Sequence, residues 1–346
     1  MHMADALLSP AVGGSLWAAT GMVTVYCSRK VREEMDDRRV PLMGVLGAFI
    51  FAAQMINFTI PGTGSSGHLG GGMILAALLG PYAAFLVMAS VLTVQALFFA
   101  DGGLLALGAN IFNLGALPCF VAYPLLFRPL AGRDPSPARL AAASVAAAAV
   151  GLQLGAAGVV LQTVLSGISE LPLRSFLLLM LPIHLAIGVV EGLITAAVVG
   201  FVRRAQPELL ARPEVPRPAA AVPLRRVILG LATAAAVTGV ALSWFASAHP
   251  DGLEWAISRI TGSEELERGG GAVHEGLERL QERTSFLPDY GFRTPAQAEG
   301  EDPEPAWPAV DPGTSVSGLV GGLLTLGMAV GIGWVLRRRA GGLPQG

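Results

Sequence analysis

Two histidines are the residues of this sequence best suited to bind a metal ion: His2, near the start, and His68, in a glycine-rich stretch. The amine of Met1, the amide nitrogen of His2 and the Nδ1 atom of its imidazole can close two fused chelate rings on one ion. The His68 ring can add a fourth nitrogen. A planar set of four nitrogens suits Ni²⁺ or Cu²⁺, and imidazole also accepts Co²⁺ and Zn²⁺. The sequence therefore predicts a divalent transition-metal site formed by Met1, His2 and His68.

The composition is that of a membrane protein. Of the 346 residues, 53% are hydrophobic and 14% are charged, whereas soluble domains carry about 25% charged residues. Residues 40–100, 102–127 and 141–169 contain no charged side chain, so lipid or other helices must surround them. We therefore predict an all-α polytopic membrane protein. The two cysteines, Cys27 and Cys119, both lie in apolar runs and exclude a disulfide framework.

A seven-span bundle is predicted for the first 204 residues, because every basic cluster then falls on the cytoplasmic side. The N-terminus is expected outside the cell, on an uncleaved first helix, since no Lys or Arg precedes that helix. The third segment is short for a crossing, which needs about 20 residues; it is expected to tilt, to begin deeper in the membrane, or to lie inside the bundle. The predicted spans cover residues 10–27, 42–58, 69–79, 82–100, 104–127, 140–165 and 176–202.

A second module is predicted after a proline-rich cytoplasmic linker at residues 205–224. Residues 225–346 contain two apolar spans joined by an external loop, residues 249–314, and the basic C-terminus is expected in the cytoplasm. The loop is long enough to reach over the outer face of the first module. A short helix with ion pairs is expected over residues 275–283, and disorder is expected over residues 288–312.

Several polar side chains occur within or beside the apolar spans. Gln54, Asn57 and Gln95 either orient metal ligands or join helices by hydrogen bonds. Asp5 and Asp101 lie at outward ends, where a carboxylate either accepts the second N–H group of a metal-binding imidazole or is a solvated helix cap.

A second pair of candidate residues, His184 and Glu191, lies seven positions apart in one predicted helix and therefore on one face. An ionisable residue within a membrane span is a functional candidate. These two residues could belong to an ion pathway, to an intramembrane metalloenzyme or to a structural network of hydrogen bonds. The sequence His274-Glu275 lacks the second histidine of a zinc-protease helix, so no catalysis is expected there.

The sequence contains no phosphate-binding Gly-x-x-x-x-Gly-Lys-Ser/Thr motif. Concentrative uptake by this chain would therefore require a separate ATPase. We expect a transporter subunit rather than an enzyme, with no permanently bound cofactor. Membrane lipid and a metal ion are its expected contacts, and nucleic acid is not.

A resemblance to a known family rests on the following stretches: Met1-His2-Met3-Ala4-Asp5, Leu8-Ser9-Pro10, Val40-Pro41-Leu42-Met43-Gly44-Val45, Phe49-Ile50-Phe51-Ala52-Ala53-Gln54-Met55-Ile56-Asn57-Phe58, Gly67-His68-Leu69-Gly70-Gly71, Leu79-Gly80-Pro81, Gln95-Ala96-Leu97, Asp101-Gly102-Gly103, Gly108-Ala109-Asn110-Ile111-Phe112-Asn113, Glu191-Gly192-Leu193-Ile194-Thr195 and His249-Pro250-Asp251-Gly252-Leu253-Glu254. On these residues the first module resembles the substrate-capture subunit of cobalt and nickel energy-coupling-factor transporters, the CbiM/NikM family. The second module resembles the small accessory subunit of the same systems, whose signature sequence is Pro-Asp-Gly-Leu-Glu.

The resemblance implies a function and a set of partners. Transported Co²⁺ or Ni²⁺ would bind to the amine, the second-position histidine and the loop histidine, which here are Met1, His2 and His68. A transmembrane coupling subunit of the EcfT/CbiQ type and cytoplasmic ATPases of the CbiO/NikO type would drive uptake in the plasma membrane. The alternatives are an intramembrane metalloenzyme or an ATP-independent channel or sensor that uses His184 and Glu191. The sequence does not decide between cobalt and nickel.

Overall fold

The computed structural model describes residues 2–34, 39–206, 223–264, 266, 270–293 and 307–340. Helices make up 77% of the described residues, which confirms the predicted all-α class. Met1, most of the proline-rich segment at 205–224, and residues 294–306 of the predicted disordered stretch lie outside the described residues.

Among the described residues, the first module contains seven longer helices, a short 3-10 turn at Asp5–Leu7 and one small hairpin. The hairpin pairs β1 (Phe58–Ile60) with β2 (Ser65–Gly67) in antiparallel register, with Thr59 opposite Ser66. The helices are α1 (Pro10–Glu34), α2 (Arg39–Gln54), α3 (Gly72–Leu79), α4 (Pro81–Phe98), α5 (Leu107–Ala131, with π-helical turns), α6 (Pro137–Ser166) and α7 (Leu173–Ala205).

Five helices in the described part of the chain are long and apolar enough to cross a membrane: α4, α5, α6, α7 and the final helix, α11 (Pro312–Ala340). Helix α2 is apolar but shorter than these. The protein is therefore a multi-pass membrane protein, while the division into seven and two spans remains a prediction.

The third predicted span, residues 69–79, is not a full crossing. Helix α3 contains only eight residues, or about 12 Å at 1.5 Å per residue, against about 30 Å of hydrocarbon. Of its residues, only Ala77 is not fully buried. The last of the three expectations is therefore correct: this segment lies inside the bundle, and it supports the glycine-rich loop that carries His68.

The second module contributes two long helices, α8 (Leu224–Val240) and α11, which both pack against α2. Glycines permit close packing of α8 against α11 and of α11 against α2. A Cβ atom at Gly318 would lie 2.3 Å from the carbonyl oxygen of Gly239, and one at Gly321 would lie 1.9 Å from the Phe51 ring. Such small-residue contacts are typical of helix pairs within membranes.

The segment between the two long helices of the second module is folded onto the first module. It forms α9 (Gly252–Thr261) and α10 (Ala272–Thr284), and the second of these confirms the short helix predicted at 275–283. Gln281 of α10 donates hydrogen bonds to the carbonyl oxygens of Ala96 and Gly102.

The expected disorder is wrong at the start of the 288–312 stretch. Residues Pro288–Tyr290 form a helical turn against the first module, and the amide of Asp289 donates to the carbonyl oxygen of Phe99 over 2.9 Å. The ring of Tyr290 stacks on Phe99 with centroids 5.1 Å apart. Burial of this aromatic pair offsets the entropic cost of ordering the segment.

Candidate metal centre

The N-terminal segment is fixed to the turn that precedes α5. The amide of Met3 donates to Asn110 Oδ1 over 2.8 Å, and the carbonyl oxygen of Met3 accepts from the amide of Gly103 over 2.9 Å. Asp5 Oδ1 accepts from the amide of Ala106 over 3.0 Å. Because Met3 is fully buried, this backbone holds residue 2 inside the bundle rather than in solvent.

The rings of His2 and His68 lie face to face. Their centroids are 5.0 Å apart and their planes differ by 8°. His2 Nδ1 lies 3.0 Å from Asp101 Oδ1, whereas His2 Nε2 is buried and has no hydrogen-bond partner. The structure thus brings together two of the three predicted metal-site residues, and the third, Met1, lies outside the described residues.

The tautomer and charge of His68 suit a metal ligand. His68 Nδ1 lies 3.0 Å from the carbonyl oxygen of Leu69; since a carbonyl only accepts, Nδ1 must carry the proton, and the lone pair is on Nε2. Burial lowers the pKa of His68 to about 3. The ring is therefore neutral near pH 7, the state in which an imidazole binds a metal ion.

Residues on three helices hold the glycine-rich loop after His68. Glu191 Oε2 accepts from the amide of Gly70 over 2.7 Å, and Gln54 donates to the carbonyl oxygen of Gly70 over 2.8 Å. Gln95 in turn donates to Gln54 Oε1 over 3.0 Å. Gly71 has a φ angle of 80°, a conformation that other residues adopt only with strain. Gln54 and Gln95 thus orient the loop backbone that positions His68.

The carboxylates of Asp5 and Asp101 have different roles. Asp5 accepts a hydrogen bond from the amide of Ala106, as described above, and makes no described contact with an imidazole. Asp101 bonds to His2 and also accepts a hydrogen bond from the Tyr290 hydroxyl of the second module. Although burial alone would raise the pKa of Asp101, the adjacent His2 and the Tyr290 hydroxyl hold that pKa below its usual range. The carboxylate is therefore ionised and can orient the His2 ring.

The second candidate pair, His184 and Glu191, does not form one site. Both side chains are buried, but Glu191 binds the loop at Gly70, and His184 Nδ1 lies 2.7 Å from the carbonyl oxygen of Met180. His184 Nε2 has no hydrogen-bond partner, and its ring borders a small cavity that is also lined by His68 and Gly70 but not by Glu191. In the ranges that the structure describes, no three His, Cys, Asp or Glu side chains converge closely enough to hold an ion.

Sequence reasoning missed the contributions of the second module to this region. Asp251 lies against His68, and Tyr290 contacts Asp101. Nothing in the local sequence of Tyr290 indicates this contact. The Pro250–Glu254 signature marks Asp251 as notable, but its position beside His68 depends on contacts between residues more than 180 positions apart.

The fold and the site define a helical membrane protein in which two stacked imidazoles lie buried at one end of the bundle. The family model for the cobalt uptake substrate-specific transmembrane region matches residues 2–209, and the model for the PDGLE domain matches residues 225–338. The chain belongs to this family of cobalt uptake substrate-specific membrane proteins and carries a PDGLE domain on the same polypeptide.

Named relatives include both nickel and cobalt transport proteins. A putative fused nickel transport protein NikMN of Archaeoglobus fulgidus is 33% identical over 349 residues, spanning 98% of this chain and 99% of that protein. A cobalt transport protein CbiM of Sorangium cellulosum is 30% identical over 230 residues, spanning 63% of this chain and 97% of that protein. A crystal structure of a transition metal transporter covers 60% of this chain and 95% of its own, with 30% identity and a TM-score of 0.53.

Proposed function

We propose that this chain is the substrate-specific capture subunit of an importer for Co²⁺ or Ni²⁺. In this proposal the ion binds to the amine of Met1, the amide nitrogen and imidazole of His2, and the imidazole of His68. The observation that carries the proposal is the buried, stacked pair formed by His2 and His68. Two rings with their centroids 5.0 Å apart can approach one ion with small rotations, because each metal–nitrogen bond is about 2.0–2.1 Å long.

Binding of the ion would change the contact between His2 and Asp101. The chelate uses His2 Nδ1, which lies beside Asp101 Oδ1. The ring of His2 must therefore turn from the carboxylate to the ion. Asp101 keeps its hydrogen bond from Tyr290. The carboxylate therefore still has a partner after the His2 ring turns away.

The two family matches suggest a separate role for each module of the chain. Residues 1–204 would form the capture module, residues 205–224 a cytoplasmic linker, and residues 225–346 the accessory module with its external loop at 249–314. A transmembrane coupling subunit and cytoplasmic ATPases would supply the energy for uptake, since the sequence has no phosphate-binding loop of its own. The N-terminus would lie outside the plasma membrane and the C-terminus inside.

A test of this function is uptake of radiolabelled Ni²⁺ and Co²⁺ by cells that express the chain with its candidate coupling subunit and ATPases. We expect accumulation that stops when ATP is depleted or when the ATPases carry an inactive phosphate-binding loop. In the same assay, unlabelled divalent cations compete with the labelled ion for uptake. The strength of inhibition by each cation shows whether cobalt or nickel is preferred. Accumulation that persists without ATP would instead identify an ATP-independent channel.

The metalloenzyme alternative has less support. It assigns catalysis to His184 and Glu191, yet Glu191 is engaged by the backbone of the His68 loop. That alternative requires His184→Ala to abolish function while His2→Ala leaves function intact. The capture proposal requires that His2→Ala remove ion binding.

A further inference from the structure

Helix α10 repeats one pattern of three residues at positions seven apart. The pattern is an apolar residue, a residue with a side-chain N–H group and an acidic residue, and it occurs as Val273-His274-Glu275 and as Leu280-Gln281-Glu282. Residues seven apart lie on one face of an α-helix, and successive residues are about 100° apart around its axis. The helix therefore has three faces: an apolar face, a face with His274 and Gln281, and an acidic face.

The face with His274 and Gln281 contacts the first module. His274 Nε2 lies 3.0 Å from the carbonyl oxygen of Leu8, just before the start of α1. Gln281 donates to the carbonyl oxygens of Ala96 and Gly102 over 2.9 and 2.7 Å, at the end of α4 and just beyond it. Polar side chains rather than apolar ones thus hold α10 on the ends of these two helices.

The apolar face points away from these contacts. Val273 and Leu280 are each 47% exposed, because their face is turned by about 100° from the face that bonds to the bundle. Leu277, which lies between the two faces, is half-buried. A surface helix of a globular protein usually directs its apolar stripe toward the core. In α10 this arrangement is reversed, which indicates an apolar partner outside the chain.

The position of α10 in the molecule identifies this partner as the lipid bilayer. Ala96 belongs to the last turn of α4, and α4 is long and apolar enough to cross a membrane. Helix α10 therefore lies level with the end of a span. Phe286, just after α10, packs against Phe98 at the end of α4 with ring centroids 5.6 Å apart, yet it is 48% exposed. The exposed apolar surface of α10 thus continues onto the end of the span.

The third face of α10 suits water. Glu275 and Glu282 are exposed, and so are Arg279 and Arg283 beside them. The acidic face lies about 160° from the apolar face around the helix axis. A helix with one apolar side and one strongly charged side lies in the plane of the membrane interface, with its apolar side about 5–10 Å into the boundary between headgroups and acyl chains.

We propose that α10 rests in this interface at the edge of the bundle, with Val273, Leu280 and Phe286 against lipid and with the charged side in water. Contact with lipid then adds to the hydrogen bonds that hold α10 over the ends of α1 and α4. The partner is the bilayer itself, and the proposal does not depend on which ion the protein transports.

The experiment places a spin label on single introduced cysteines of the full chain, with one chain per phosphatidylcholine nanodisc. Leu280→Cys and Val273→Cys test the apolar face, and Glu282→Cys on the acidic face of the same helix is the matched control. Leu193→Cys, on the exposed side of the spanning helix α7, is the lipid reference. Both native cysteines are buried, so the unsubstituted chain serves as the labelling blank.

The measured quantity is the ratio of collisions with oxygen, which concentrates in lipid, to collisions with chromium oxalate, which stays in water. For the labels at 273 and 280, we expect a ratio close to that at 193 and about tenfold above that at 282, since the apolar side enters the acyl boundary. Thermal unfolding of each labelled protein should match that of the parent, because all the labelled positions on α10 are exposed.

Two results would overturn the proposal. Labels at 273 and 280 that collide with chromium oxalate as often as the label at 282 would show that the apolar face lies in water. Labels at 273 and 280 that are shielded from both reagents would show that protein, and not lipid, covers this face.

Discussion

His68→Ala is expected to abolish concentrative metal uptake and to lower the affinity of the purified protein for Ni²⁺ by more than about a hundredfold, since loss of an outer-shell partner alone costs ten- to a hundredfold. The ring is the fixed imidazole of the proposed site: it is buried, neutral and held by Leu69. No other described histidine stacks on His2. Equilibrium binding of radiolabelled Ni²⁺ in nanodiscs measures the change.

His249→Ala is the matched control for this substitution. The side chain of His249 is exposed, and the contact that it makes with the His68 hairpin runs through its backbone carbonyl oxygen. We expect binding within about twofold of the parent, because surface substitutions of this kind change stability by less than about 0.5 kcal/mol. A His68→Ala protein that binds Ni²⁺ like the His249→Ala protein would contradict the assignment of His68.

Gly103→Ala should lower the affinity of the site for Ni²⁺ almost as strongly as His68→Ala, although Gly103 is not a proposed ligand. A Cβ atom there would lie 1.8 Å from Asp5 Oδ1 and 2.5 Å from the backbone nitrogen of Asp5. The N-terminal segment must therefore move, and the bonds from Gly103 to Met3 and from Ala106 to Asp5 are lost. We expect Ni²⁺ affinity to fall by about ten- to a hundredfold, comparable to the loss of an orienting partner.

The same methyl group placed elsewhere tests whether the effect is local. Gly14 lies on the exposed face of α1, where a Cβ atom meets nothing within 4 Å. Gly14→Ala should leave binding unchanged and raise helix stability by about 0.5–1 kcal/mol. Thermal unfolding of both variants should show that Gly103→Ala protein remains folded, with a loss of about 1–3 kcal/mol from overpacking. Normal Ni²⁺ affinity in folded Gly103→Ala protein would disprove the anchoring role of this turn.

The sequence was sufficient to predict the long helices, because uncharged runs of membrane length have few alternatives. It also predicted that His2 and His68 come together, since the glycines around His68 permit a tight turn. The length of the 69–79 segment indicated that it is short for a crossing, whereas its place inside the bundle is seen only in the structure, where eight of its residues form a helix. These features depend on local composition and on the polarity of the surroundings.

Other features depend on contacts between distant parts of the chain. Glu191 is a carboxylate within a span, and the sequence therefore indicated a candidate for an ion pathway. Helical periodicity does not reveal that this side chain contacts the loop at Gly70. Tyr290 contacts Asp101, which lies 189 positions earlier in the sequence. Asp251 lies beside His68, which is 183 positions earlier. Charge complementarity and aromatic packing select these contacts, and neither has a local sequence pattern.

The most direct test of the N-terminal site is the affinity for Ni²⁺ of protein that carries one additional residue ahead of Met1, compared with the parent protein. The addition converts the amine of Met1 into an amide and breaks the chelate, while every side chain of the bundle is retained. We expect the affinity to fall by about a thousandfold, or about 4 kcal/mol, with unchanged thermal stability in the absence of metal. An affinity equal to that of the parent would contradict the proposal that nitrogens at the chain terminus bind the ion.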